Sequence, residues 1–199
     1  MKKNALELVF ILDKSGSMHG LEKDTVGGFN SVIDEQKKLD GEVLVTTVLF
    51  SNSSERVHDR VGIGKIAPMT EEDYRVGGCT ALLDAVGETV EHIEKIHKYI
   101  RDEDVPESTM FVITTDGLEN ASRKYSGKQI KKMIEKKKEE GWKFIFLASN
   151  IDVNAVGEDI GIKDTKRRKG LSSKNFAAGM RVAMSEANAE IRAERQKRG

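Results

Sequence analysis

The chain has 199 residues, of which 38% are hydrophobic and 33% are charged. This length and composition fit one globular domain with a buried core, or one domain with an appendage. The formal net charge is zero, which excludes an overall electrostatic field that would draw the chain to DNA, RNA or an anionic membrane. The single cysteine, Cys79, excludes an internal disulfide framework.

The first residues, "MKKNALELVFIL", resemble a secretory signal because two lysines precede an apolar run. That run is only about seven residues long, contains Glu7, and continues into "DKSGS" instead of a small-residue cleavage site. No stretch approaches the roughly 18 consecutive apolar residues that a membrane span needs. We therefore expect a cytoplasmic protein that does not engage membranes.

Four short apolar runs predict strands that are buried on both faces, at residues 6–12, 43–50, 109–114 and 143–148. They are continuous blocks of Val, Ile, Leu and Phe, which is typical of a parallel sheet covered by helices on both sides. The polar, alternating "SERVHDR" at 54–60 follows the second run after a few residues. This spacing indicates an antiparallel hairpin at the edge of the sheet.

Apolar residues at helical spacing fill the intervals between these strands, at 21–39 and 82–96. A third helix is predicted after Ser126, a good N-cap residue, and ends at Gly141. Strands that alternate with helices predict an α/β fold with a doubly wound, mostly parallel central sheet, one antiparallel edge strand and helices on both faces.

The C-terminal region differs in composition, so we divide the chain into a core at 1–164 and a basic segment with a final helix at 165–199. That helix is predicted to start near Ser172 or Ser173, to pack on the core and to fray at its basic end. Its apolar stripe consists of Phe176, Met180, Ala183, Ala187 and Ile191. The alternative is a basic patch for an acidic partner or nucleic acid. Glu186, Glu190 and Glu194 weaken it, and we expect no nucleic-acid partner.

Three segments at predicted strand ends or helix starts carry side chains with oxygen atoms: "DKSGSM" at 13–18, "RVGGCTALLDAV" at 75–86 and "TTDGLEN" at 114–120. Ligands of open parallel sheets bind at the carboxyl ends of the strands, where these segments would meet. Together they offer two carboxylates and three hydroxyls: Asp13, Ser15, Ser17, Thr80 and Asp116. Hard divalent cations take oxygen ligands, so this set predicts a site for Mg²⁺ or Mn²⁺.

"DKSGS", "GGCT" and "TTDG" resemble the three loops of the von Willebrand factor A domain, whose metal-ion-dependent adhesion site has the pattern Asp-x-Ser-x-Ser, Thr, Asp. The correspondence falls on Asp13, Ser15, Ser17, Thr80 and Asp116, and the resemblance covers roughly residues 5–164. It implies a stand-alone intracellular member with an intact ligand set and a six-stranded sheet. The sixth strand is the poorest match, because "KDTKRRKG" at 163–170 is not apolar, and it is expected to be short or absent.

The resemblance also implies a function without chemistry of its own. A partner protein would present an Asp or Glu to the bound ion, and the chain would act as an adaptor in a multiprotein complex, such as one associated with an AAA+ ATPase. The alternative is an Mg²⁺-dependent phosphoryl-transfer enzyme similar to haloacid-dehalogenase phosphatases. Those need a second carboxylate two residues after the first, where this chain has Ser15. A structural chain with a vestigial site is a third alternative.

Simpler interpretations exist for each residue. Asp13, Ser15 and Ser17 could form a turn with an N-cap, Asp116 could belong to an ordinary turn, and Thr80 could cap its helix. Solvated residues are expected to rim the site: Lys14, His19, Glu119 and Asn120. An alternative gives Lys14 or His19 a part in steering an acidic ligand. His92 and His97 are predicted to be surface residues, and Cys79 a small packed residue.

Overall fold

One sheet runs through the molecule, whose structure is a computed structural model that describes residues 1–149, 156–158, 160–161, 168–171 and 176–198. Within these residues the sheet has six strands: β1 (Lys2–Asp13), β2 (Glu42–Phe50), β3 (Ser54–Gly62), β4 (Pro106–Thr115), β5 (Lys143–Ser149) and β6 (Arg168–Leu171). Their spatial order is β3-β2-β1-β4-β5-β6. β3 pairs antiparallel with β2, and the other neighbouring pairs are parallel. The predicted mostly parallel sheet with an antiparallel edge strand is confirmed.

Four longer helices cover the two faces of this sheet in the described part of the chain: α1 (Glu22–Gln36), α2 (Leu82–Tyr99), α3 (Gly127–Glu139) and α4 (Phe176–Arg198). Alternate residues of β1 point to opposite faces. Phe10 packs in the cluster that includes Phe29 of α1 and Met180 of α4. Ile11 packs in the cluster that includes residues of α2 and α3. Both side chains are fully buried, which explains why the strand is a continuous apolar run.

The observed ends of some strands and helices differ from those predicted from the apolar runs. β1 and β4 begin at Lys2 and Pro106, several residues before their apolar runs, because backbone pairing continues past the buried segment. Ser126 caps α3 as predicted, with Gln129 completing a capping box. α2 starts one residue after Ala81 and has no side-chain cap at that position, so the interpretation of Thr80 as its N-cap is wrong.

The sixth strand is present and short. Arg168–Leu171 pairs in parallel with the end of β5, from Phe146 to Ser149. A strand at a sheet edge needs backbone partners more than apolar side chains, so a basic sequence can form it. The residues around it, at 150–155, 162–167 and 172–175, lie outside the described part of the chain, and with them the predicted helix start at Ser172 or Ser173.

Helix α4 lies against α1 with an apolar stripe. Met180, Ala183, Ala187 and Ile191 are buried in the core cluster on that face, and the helical backbone continues to Arg198. The side chain of Phe176 is outside the described set. No helix among the described residues is both long enough and apolar enough to cross a membrane.

Candidate metal centre

The carboxyl edge of the sheet brings the three predicted segments together. β1 ends at Asp13 and β4 at Thr115, and the two strands are parallel neighbours in register from Leu6 with Ser108 to Leu12 with Thr114. The loop that contains Thr80 leads into α2 at the same edge. Its backbone is joined to the first segment, since Gly16 donates its N–H to the carbonyl of Gly78 at 3.0 Å.

Three hydroxyls form the centre of the site. The Thr80 hydroxyl donates to Ser15 Oγ at 3.0 Å, and Ser15 Oγ lies 3.1 Å from Ser17 Oγ. Ser15 and Thr80 are buried, whereas Ser17 is exposed. The cluster is therefore open to solvent on the side of Ser17, where an exchangeable ligand could enter.

Asp13 supplies a buried carboxylate that is bonded to the same loop. Its Oδ1 accepts the N–H of Ser15 at 2.7 Å, and its Oδ2 accepts the hydroxyl of Thr115 at 2.6 Å. Burial raises the pKa of Asp13 above its usual value, although the hydrogen bonds from Thr115, Ser15 and the backbone of Asp116 oppose the rise. The carboxylate form is thus costly to hold without a cation, and a bound cation would offset this cost.

Asp116 follows β4 and is 9% exposed. The next residue shows how close its segment comes to the hydroxyls: a Cβ on Gly117 would lie 2.7 Å from Ser17 Oγ and 2.8 Å from Thr80 Oγ1. A side chain at this position would displace the hydroxyls of Ser17 and Thr80, so glycine lets the third segment approach the other two without disturbing them. The structure brings all five predicted residues into one group of loops.

The residues fit a hard divalent cation. In an octahedral shell with ligands at roughly 2.1 Å, adjacent oxygens lie about 3.0 Å apart. The hydroxyl pairs of this site already have separations of 3.0 and 3.1 Å. No group of three or more His, Cys, Asp or Glu residues that could hold a metal occurs in the described part of the chain. The donor set combines two carboxylates with hydroxyls, which suits Mg²⁺ or Mn²⁺ better than a soft metal.

Several interactions that hold the loops in place were not predicted from the sequence. Asn120 brackets Thr80, because its Oδ1 accepts the Thr80 N–H at 2.9 Å and its own N–H donates to the Thr80 carbonyl at 3.1 Å. Asn52 accepts the N–H of Cys79 at 2.7 Å. A Cβ on Gly78, which has φ +85°, would lie 2.1 Å from Asn52 Oδ1, so this close contact requires glycine. Asn120 was predicted only as a solvated rim residue, and it is exposed. Nothing in the sequence indicated its bonds to Thr80.

Tyr74 also supports the site and was not predicted from the sequence. It is fully buried, and its hydroxyl donates to the backbone carbonyl of Asp13. Burial raises the pKa of Tyr74, so the hydroxyl stays protonated and remains a donor. The residue lies in an irregular polar segment, where the sequence offers no pattern that would single it out.

The predicted rim residues have different environments. His19 is exposed, with a side-chain fraction of 85%, as expected for a rim residue. Lys14 is half-buried and forms an ion pair with Glu55 at 2.8 Å. The expectation that Glu119 is solvated is wrong, because its carboxylate accepts four hydrogen bonds, from the N–H groups of Leu83, Ala121 and Ser122 and from the Ser122 hydroxyl.

Two further expectations also need correction. Cys79 is exposed and not packed. His97 is not a surface residue: its side chain is 12% exposed and its Nε2 lies 3.3 Å from the buried carboxylate of Glu7. His92 is half-buried, with Nε2 2.9 Å from an oxygen of Asp59.

Comparison with known proteins shows which solved structures have a similar fold. No protein-family model and no curated protein matches this chain. Among solved structures, proximal thread matrix protein 1 from the mussel byssus has a TM-score of 0.62 at 14% identity, over 92% of this chain and 46% of that one. This chain therefore spans less than half the length of that protein. The vWF domain of the type V pili tip protein Mfa5 from Porphyromonas gingivalis has a TM-score of 0.66 at 9% identity, over 94% and 96%.

Two of the similar structures hold a metal. One is the mussel protein with a zinc-occupied MIDAS motif. The other is manganese-loaded TRAP protein from Plasmodium vivax, with a TM-score of 0.62 at 15% identity over 92% of this chain and 75% of that one. At these identities the likeness concerns the fold, and the fold is that of von Willebrand factor A domains.

Proposed function

We propose that this chain is a divalent-metal-dependent protein-binding module, in which Mg²⁺ or Mn²⁺ is held by Asp13, Ser15, Ser17, Thr80 and Asp116. When bound, the ion supplies a positive centre that accepts an acidic side chain of a partner protein. The observation that carries the proposal is the group of three hydroxyls at 3.0 and 3.1 Å, together with the buried carboxylate of Asp13, which accepts the backbone N–H of Ser15.

Each residue has a distinct part in this proposal. Ser15 and Ser17 offer neutral oxygens, and Thr80, Asp13 and Asp116 bind directly or through water. If Asp13 or Asp116 binds through water instead of directly, one negative charge moves away from the ion, which is then incompletely neutralised and attracts a further carboxylate more strongly. The exposure of Ser17 leaves a path for that carboxylate from solvent.

The fold and the metal-loaded similar structures support this function over phosphoryl transfer. A haloacid-dehalogenase-like phosphatase needs an acid two residues after the first aspartate, and Ser15 is there, with its hydroxyl bonded to Thr80. These phosphatases also need a downstream pair of acidic residues on the metal. Glu119, three residues after Asp116, uses both carboxylate oxygens to accept four hydrogen bonds from its own loop and from α2. We therefore propose a binding module and not an enzyme.

We propose that the chain acts as an adaptor in the cytoplasm, within a multiprotein complex such as one built around an AAA+ ATPase. The exposed free thiol of Cys79 is compatible with a reducing compartment. We propose no contact with nucleic acid or membrane, in line with the zero net charge.

The test is affinity capture from a lysate of the source organism with immobilised protein, in Mg²⁺ or in EDTA. We expect partners that are retained in Mg²⁺, released by EDTA, and lost with the Thr80→Ala and Asp116→Ala variants. Thr70→Ala, which removes an exposed hydroxyl in another loop, is the control and should capture as the unaltered protein does. Retention by the Thr80 and Asp116 variants would contradict the site assignment, and metal-dependent hydrolysis of a generic phosphate ester, lost in Asp13→Asn, would contradict the binding function.

A further inference from the structure

A groove beside the candidate metal centre contains an arginine that is available to a partner. The groove has a volume of about 770 Å³ and lies between residues 52–54 after β2 and residues 120–124 after β4. It adjoins the centre because Cys79 and Asn120 line it, the first preceding Thr80 in the chain and the second bonded to the Thr80 backbone. A segment that reaches the metal can therefore continue into this groove.

We propose that this groove binds a second acidic side chain of the segment whose first acidic side chain reaches the metal, with Arg123 as the anchor. The inference rests on the proposed function and adds the chemistry of the partner: an extended peptide with two carboxylates separated by a short spacing. It follows from the charged groups that line the groove, which are Asp84, Glu88, Arg123 and Lys124.

Three of these four charged groups already have hydrogen-bond or ion-pair partners within the protein. The Asp84 carboxylate accepts the backbone N–H groups of Arg123, Lys124 and Tyr125 at 2.8, 2.9 and 3.0 Å. Burial opposes its ionisation, but these hydrogen bonds hold the pKa of Asp84 below its usual value, so it is fully charged and committed to the loop. Glu88 and Lys124 form an ion pair with each other.

Arg123 remains. Its side chain is exposed, lines the groove, and makes no hydrogen bond or ion pair with any residue that the structure describes. Its backbone, by contrast, is fixed by the bond from its N–H to Asp84 Oδ2 at 2.8 Å. The guanidinium is thus presented from an anchored loop, which lowers the entropy lost when a ligand binds.

The chemistry of arginine identifies the ligand. A guanidinium has a planar set of donors that matches the two oxygens of a carboxylate, and charge-assisted pairs of this kind are stronger than neutral hydrogen bonds. The metal centre attracts the same class of group. Both anchors therefore select for negative charge on one partner segment, and a peptide that satisfies both gains from their linkage.

The experiment uses short synthetic peptides with blocked ends and a Gly/Ser background. One peptide carries a single Glu, and a series carries a second Glu one to four residues to either side of it. Binding to the full chain is measured by fluorescence anisotropy in Mg²⁺ and in EDTA. We expect all binding to require Mg²⁺, and one spacing in the two-Glu series to bind about 10-fold more tightly than the single-Glu peptide.

Two variants identify the anchor. Arg123→Gln should reduce the best two-Glu peptide to the affinity of the single-Glu peptide, without changing the affinity for Mg²⁺ alone. Arg123→Glu should reverse the preference, so that a further peptide with Lys in place of the second Glu binds more tightly than the two-Glu peptide of the same spacing. Arg181→Gln, which alters an exposed arginine of α4 on the other face of the sheet, is the matched control and should bind as the unaltered chain does.

The outcomes separate this inference from the function on which it rests. If single-Glu and two-Glu peptides bind equally at every spacing and still require Mg²⁺, or if Arg123→Gln leaves the two-Glu advantage intact, the second contact is disproved and the metal-dependent module stands. If no peptide shows Mg²⁺-dependent binding, both proposals fail.

Discussion

At the scale of single residues, the site depends on side chains that fix the backbone of the metal-binding loops. Tyr74 is the most buried of these, and its hydroxyl donates to the carbonyl of Asp13, the last residue of β1. Its bond fixes the point at which the chain turns from the strand towards Ser15 and Ser17. Ligands that are held in place before the ion arrives lose less entropy on binding.

Replacing Tyr74 with phenylalanine should therefore weaken metal binding more than it disturbs the fold. Residues that orient metal ligands typically change metal affinity by about 10- to 100-fold when mutated, and we expect the lower end of that range. The lost donor should also lower the free energy of unfolding by about 1–3 kcal/mol, because it leaves the buried carbonyl of Asp13 with fewer partners.

Calorimetric titration with Mn²⁺ and urea unfolding in EDTA measure these two effects separately. Tyr99→Phe provides the matched control, since Tyr99 is 75% exposed. A Tyr74→Phe variant with unchanged Mn²⁺ affinity would show that this hydroxyl does not position the loop.

At the scale of elements, a buried ionic cluster joins β1, β3 and α2 on the face that α2 and α3 cover. Glu7 is fully buried in β1, and its Oε1 and Oε2 accept the Nε–H of Arg60 from β3 at 3.2 and 2.9 Å. His97 of α2 brings its Nε2 to 3.3 Å from the same carboxylate. The edge strand is thereby tied to the middle of the sheet by charge as well as by backbone pairing.

Breaking this pair from one side should destabilise the protein strongly. Arg60→Met leaves the Glu7 carboxylate buried without its cation, for which we expect a loss of about 3–5 kcal/mol in the free energy of unfolding. The double variant Glu7→Leu with Arg60→Met removes the uncompensated charge and should lose less than the single variant. Urea denaturation of both proteins measures the difference, and a double variant less stable than Arg60→Met would contradict this account of the cluster.

At the scale of the whole molecule, much of the fold follows from the sequence because the signals are strong and local. Continuous apolar runs predicted β1, β2, β4 and β5, and polar alternation predicted β3 as an edge strand. The three loops were predicted to meet because parallel strands end at the same edge. The basic β6 and the buried Glu7 lacked such signals, since one depends on backbone pairing and the other on charged partners far away in the chain.

In the candidate site, too, residues in a local motif were predicted, and residues that act through long-range hydrogen bonds were not. The predicted ligands Asp13, Ser15 and Ser17 were found from their alternation in "DKSGS". In contrast, Asn52, Asn120 and Tyr74 bind residues that lie 27, 40 and 61 positions away in the chain. Glu119 was misjudged for the same reason, because its donors include Leu83 on α2. Long-range hydrogen bonds of this kind have no periodicity, so sequence reasoning alone does not reveal them.

The proposed function requires that five oxygen-bearing side chains form one binding site for a divalent cation. The most direct measurement is an anomalous difference map from a crystal soaked in Mn²⁺, compared with crystals of Thr80→Ala and Asp116→Ala soaked in the same way. We predict a single strong peak roughly 2.2 Å from the hydroxyl oxygens of Ser15 and Ser17, which is lost or weakened in both variants. A map without a peak at these hydroxyls, or with an unchanged peak in both variants, would contradict the account.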